Sequence, residues 1–148
     1  MIDVQTGLMN GRNLIWVALA ILGFLTAAAP AEQVTGGVAT SLTYYAPNAN
    51  YAWKAFDGSI GNANGWGNNG TIPPEWLKYD FTNGAKIVTN YALYCNSSQD
   101  GGWGTYYPRT WTFEGSNTAA GNWVVLDTKA SQTIVEDAWT NYPISNVT

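Results

Sequence analysis

The residues best equipped to do chemistry lie between Gln99 and Arg109, a stretch that reads QDGGWGTYYPR. Glycine on both sides leaves the Trp103 ring uncovered by its neighbours. An uncovered aromatic face can stack on the C–H face of a pyranose, while Asn, Arg, Asp and Glu hydrogen-bond the hydroxyls. Trp103 is either such a platform or a lid folded onto the core. Tyr106 and Tyr107 alternate in direction, so at most one of them faces a ligand. Arg109 either reaches the ligand or pairs with Glu114 or Asp100. A second loop, Gly58 to Pro74, holds five Gly and four Asn and adds Trp66, Asn68 and Asn69. Tyr51 and Trp53 lie on a third loop, with no role assigned.

These residues bind rather than react. The chain has no His, which removes the commonest general base and metal ligand. No nucleophile sits beside a base, and the carboxylates show no motif-like pairing. The single cysteine, Cys95, lies in the apolar run Tyr91-Ala92-Leu93-Tyr94-Cys95 and reads as a buried thiol. Net charge is −4, and the six basic residues are scattered singly. That excludes an electrostatic footprint for nucleic acid or anionic lipid. Aromatics make up 14% of the 148 residues, and eight are Trp, more than one small core needs. Some of them should therefore be exposed for binding.

Elements must hold these loops in place. Residues Leu14 to Ala31 carry no charge, follow Arg12, and end in Ala29-Pro30-Ala31 before Glu32. Residues 1–31 thus read as a hydrophobic helix, either a secretory signal cleaved before Glu32 or an uncleaved membrane anchor. Both readings export residues 32–148, and the anchor is the only membrane contact expected. From Glu32 onward the pattern is all-β. Leu77, Tyr79 and Phe81 alternate with Trp76, Lys78 and Asp80, and Ile87 to Cys95 alternate likewise. Trp111 shares a face with Phe113, and Val124 with Leu126. Short strands punctuated by Gly and Asn imply a sandwich or jelly roll.

Five segments carry a resemblance: Ala55-Phe56-Asp57-Gly58, Pro74 to Phe81, Trp111 to Asn117, Trp123 to Thr128, and Tyr142 to Asn146. In this order they resemble the discoidin family, also called the coagulation factor 5/8 type C domain, which includes the carbohydrate-binding modules of family 32. The resemblance runs from about Val34 to Thr148. It implies a discoidin-like jelly-roll β-sandwich that binds ligands through loops at one end and performs no chemistry. It assigns Trp76, Trp111 and Trp123 to packing, turns Phe56 inward, and makes Asp127 structural. It places Trp66, Asn68, Trp103, Tyr106, Tyr107 and Arg109 near the usual pocket, although its Trp66 position often packs beneath the loops. It also implies a structural calcium on Asp57, with Asn62, Asn64 and carbonyls near Ala55. The alternative is that Asp57 caps the turn at Gly58.

The chain departs from the family after Asn146, where the pattern continues with two more strands. That departure thins the calcium ligand set and implies an open sheet edge. A partner strand or self-association would complete it. The expected function is a secreted or surface-exposed, non-catalytic module that binds glycans or glycoconjugates. The alternative is a structural or adhesion subunit of a surface assembly, appendage or virion. Sequons stand at Asn69, Asn96 and Asn146.

Overall fold

Alternation of period two carries directly into the backbone. The computed structural model describes residues 2–7, 14–21, 34–49, 51–60, 65–68, 74–96, 107–118 and 121–145. Among them the chain is extended nearly throughout, as β1 (Ile2–Gly7), β2 (Leu14–Ile21), β3 (Gly37–Ser41), β4 (Trp66–Gly67), β5 (Glu75–Phe81), β6 (Val88–Tyr94), β7 (Thr110–Gly115), β8 (Val124–Lys129) and β9 (Trp139–Pro143). Two 3-10 turns, Ala46–Asn48 and Ala52–Ala55, are the only helical pieces among the described residues. From residue 34 onward the described residues are all-β, as the sequence implies.

The strands form a five-stranded sheet in the order β3-β5-β1-β7-β8 and a four-stranded sheet in the order β4-β2-β6-β9. Every neighbouring pair is antiparallel. β3 can approach β5 only because position 37 is glycine. A Cβ at Gly37 would collide with the Asp80 carbonyl oxygen and the Tyr79 ring.

In β5 the residues Glu75, Leu77, Tyr79 and Phe81 are buried, whereas Trp76, Lys78 and Asp80 are half-buried on the other face. Trp76 is therefore not the core residue the resemblance implied. Its place in the alternation sets it opposite Leu77, where the Lys78 ammonium lies 5.7 Å from its ring. Trp111 and Phe113 of β7 are buried as expected, as are Phe56 and Cys95. Val124 is exposed although Leu126 packs on the core, and the β7–β8 register shifts between Phe113 and Glu114.

The N-terminal apolar stretch also differs from expectation. A helix is expected there, yet Leu14–Ile21 is a strand. Its backbone groups are taken up by β4 and β6 instead of by helical bonds. Residues 22–33 lie outside the described residues. Among the described residues no helix is long and apolar enough to cross a membrane.

Tyr91 joins the two sheets. From β6 its ring stacks on Phe113 of β7, with centroids 4.3 Å apart and planes 3° from parallel. It also stacks on Tyr142 of β9, at 5.1 Å. The Trp111 indole N–H donates to the Tyr91 hydroxyl at 2.8 Å. The Tyr91 hydroxyl in turn donates to Asp127 Oδ2 at 2.7 Å. Lys129 closes the chain on Asp127 Oδ1 at 2.7 Å. Burial, reinforced by Asp127, pushes the Tyr91 hydroxyl far above the ordinary tyrosine value. Burial works against the charge on Asp127, but bonds from Lys129 and Tyr91 outweigh it and hold the carboxyl below its ordinary value.

Removing the hydroxyl should cost more than one bond, because a buried indole N–H and a carboxylate oxygen lose their partner together. Tyr91→Phe is expected to destabilise the chain by about 1–3 kcal/mol, read by urea unfolding. The depressed Asp127 value has a sign for pH. Its contribution is complete above the ordinary aspartate value of about 3.9 and is lost as pH falls through the lower folded value. Acid unfolding should therefore be blunted in Asp127→Asn, measured as the change in stability between neutral pH and pH of about 2.

Candidate loop-end binding site

The strand registers gather the loops at one end. Ser41 pairs with Leu77, Gly7 with Thr110, Trp111 with Lys129, and Tyr94 with Trp139. The exit of β3, the entries of β5 and β7, and the exits of β6 and β8 therefore share this end. The described residues that leave β3 and those that enter β7 at Tyr107–Arg109 stand at this end.

The segment leaving β3 is held from below. Thr43 Oγ1 donates to Glu75 Oε1 at 2.7 Å. The Trp66 indole donates to the Thr43 carbonyl at 2.9 Å, and the Tyr45 amide donates to the Gly67 carbonyl at 2.6 Å. Glu75, Trp66 and Asn68 are all fully buried, so the segment rests on a polar floor closed to solvent. Tyr44 sits between the two anchored residues and projects outward.

The chain then reverses through Ala46–Asn48 and Ala49, whose φ of 49° is left-handed. That conformation costs a residue with a Cβ of order 1–2 kcal/mol. It returns Tyr51 to Tyr44, with ring centroids 5.0 Å apart and a 47° tilt. Tyr44 is 44% exposed, Tyr51 41% and Trp53 53%. The Lys54 ammonium lies 5.9 Å from the Trp53 ring. These are the large exposed aromatics among the described residues; Tyr44 and Tyr51 form a paired face, and Trp53 lies two residues further along beside a cation.

Trp66 is not on this face. Its ring is 0% exposed, and its one polar atom is spent on Thr43. Asn68 is likewise buried, so both lie beneath the surface. Tyr107 is half-buried against the core, and Arg109 is exposed with its guanidinium 5.7 Å from the Tyr107 ring. Glu114 accepts instead from Thr112, at 3.1 Å. Trp103, Tyr106 and Asp100 lie outside the described residues.

Asp57 has the turn-capping role. Its Oδ1 accepts the Ser59 amide at 2.8 Å, across Gly58 with its φ of 73°. Val34 bonds the carbonyl of the preceding Phe56 at 3.1 Å, which ties this turn to the chain just before β3, away from the loop end. Asn62 and Asn64 lie outside the described residues. No group of three His, Cys, Asp or Glu gathers among the described residues.

Asp127 lies within β8, where its carboxylate accepts from Tyr91. Cys95 is buried, and burial, followed by the nearby Glu136, pushes its thiol up to about 12. The thiol is thus protonated and inert at neutral pH.

Sequence reasoning left Tyr51 and Trp53 without a role and passed over Tyr44. The available signal was the run Tyr44-Tyr45-Ala46-Pro47-Asn48, paired aromatics entering a proline turn.

Burial separates the tryptophans in a measurable way. Trp66→Ala should cost about 3–5 kcal/mol in urea unfolding, whereas Trp53→Ala should stay within about 0.5 kcal/mol. Comparison with protein-family models, with curated proteins and with solved structures finds no match for this chain.

Proposed function

We propose that the chain is an exported, non-catalytic carbohydrate-binding module that recognises glycans at its loop end, on a discoidin-like jelly-roll framework. The observation that carries this reading is the exposed Tyr44–Tyr51 pair, set on a segment anchored through Thr43 and Tyr45. Fixed rings lose little entropy when a sugar docks, which favours affinity. Stacking on the pyranose C–H face supplies apolar contact, and Trp53 with Lys54 extends the face. Arg109 and Tyr107 supply polar groups from the neighbouring loop at the same end, with Trp103 and Tyr106 as further candidates from that loop. The resemblance to the discoidin family supports the same class of ligand.

A second reading, a structural or adhesion subunit, has its own observation. β3 and β8 are the outer strands of the five-stranded sheet, and Val38, Val124 and Val125 on them are exposed. Apolar outer strands invite pairing with another chain. A mass that rises with concentration in sedimentation, and falls back in Val125→Lys, would favour this reading.

The glycan reading is tested on the full chain with a glycan array followed by calorimetry on the best ligand. Tyr44→Ala and Tyr51→Ala should each weaken binding about tenfold or more, or ~1.4 kcal/mol, with the melting midpoint unchanged. Absence of binding to every glycan, or full binding by both variants, would refute the assignment.

A further inference from the structure

The N-terminal strands occupy interior positions in both sheets. β1 runs between β5 and β7, with Ile2 opposite Tyr79 and Gly115, and Thr6 opposite Glu75 and Trp111. β2 runs between β4 and β6, with Ile15 opposite Trp66 and Leu19 opposite Tyr91. Without β1 the five-stranded sheet divides into the pairs β3–β5 and β7–β8. Without β2 the other sheet keeps only β6–β9, and β4 loses its strand partner. Two-stranded ribbons are marginal in water, and each vacated edge leaves a row of backbone N–H and C=O groups.

We propose that the Ile2–Gly7 and Leu14–Ile21 strands are donors, and that the two positions they fill form a strand-acceptor site. Its ligand class is an extended peptide carrying the Ile2–Gly7 and Leu14–Ile21 sequences, recognised by backbone ladders on both sides. The sequence separates donor from acceptor at Ala31-Glu32, where its small residues suit a signal peptidase. The same residues cannot sit in a sheet and in a bilayer or translocation channel at once. Membrane engagement and sheet completion are therefore mutually exclusive states of this segment. Scission before Glu32 converts the donor from a tethered strand into a bound peptide, held by its ladders alone.

The test begins with the full chain carrying a site-specific protease sequence between Ala31 and Glu32. The chain is folded, cut, and passed through gel filtration without denaturant. The N-terminal fragment should co-elute with residues 32–148. Once stripped of the fragment in denaturant and returned to buffer, residues 32–148 should lose their cooperative melt. A synthetic peptide of residues 1–24 should restore it. The same peptide with Val4→Pro and Val17→Pro should not, because proline cannot donate to a ladder. A fragment that elutes alone while residues 32–148 keep their melt would overturn the proposal. So would failure of the peptide to restore the melt, or equal restoration by the proline peptide.

Discussion

One hydroxyl group holds the two sheets in register. Tyr91 accepts a hydrogen bond from the Trp111 indole and donates one to Asp127, so a single buried oxygen bridges β6, β7 and β8. Its ring lies on Phe113 from one sheet and Tyr142 from its own. Offset aromatic pairs add roughly 0.5–1.5 kcal/mol beyond the area they bury. The hydrogen bonds matter less for their mean strength than for the penalty of breaking them, which would leave a buried indole N–H without its partner. The arrangement also disposes of a partly buried carboxylate, which Lys129 and Tyr91 neutralise together. With both sheets pinned at mid-strand, their loops leave from a fixed frame, which is the setting in which loops carry function.

Side chains and backbone do different work here. The Tyr91 network joins sheet to sheet, while β1 and β2 join strand to strand within each sheet. The first depends on particular residues. The second depends on an extended backbone in the right register, which many sequences can supply. That division explains how an apolar segment with the composition of an export signal also fits as a strand. Ile15, Trp16 and Val17 favour extended structure as well as apolar surroundings.

The strands were legible because their alternation is local. Leu77, Tyr79 and Phe81 declare one face of β5, and Trp111 with Phe113 declare one face of β7. Trp76 shows the limit. Its alternation and its family resemblance gave opposite answers, and the local period prevailed. The tryptophan loops were less legible. Gly-Trp-Gly flanks both Trp66 and Trp103, and flanking glycine says nothing of what lies above the ring, since Trp66 is fully buried. Tyr44 was passed over and Tyr51 left without a role because their pairing needs a left-handed alanine, which no sequence rule assigns. The floor of Thr43, Glu75 and Trp66 is built from residues up to 32 positions apart, beyond any local pattern.

Under the proposed function, ligand contact falls on the exposed rings of the loop end, and the buried rings are scaffold. The most direct measurement is an NMR titration of the full chain, with labelled Tyr and Trp rings, against a panel of pyranose sugars. The Tyr44 and Tyr51 ring signals should shift and saturate with at least one sugar, while those of Trp66 and Trp111 hold still. Silence from Tyr44 and Tyr51 with every sugar, or shifts confined to the turn around Asp57, would contradict it.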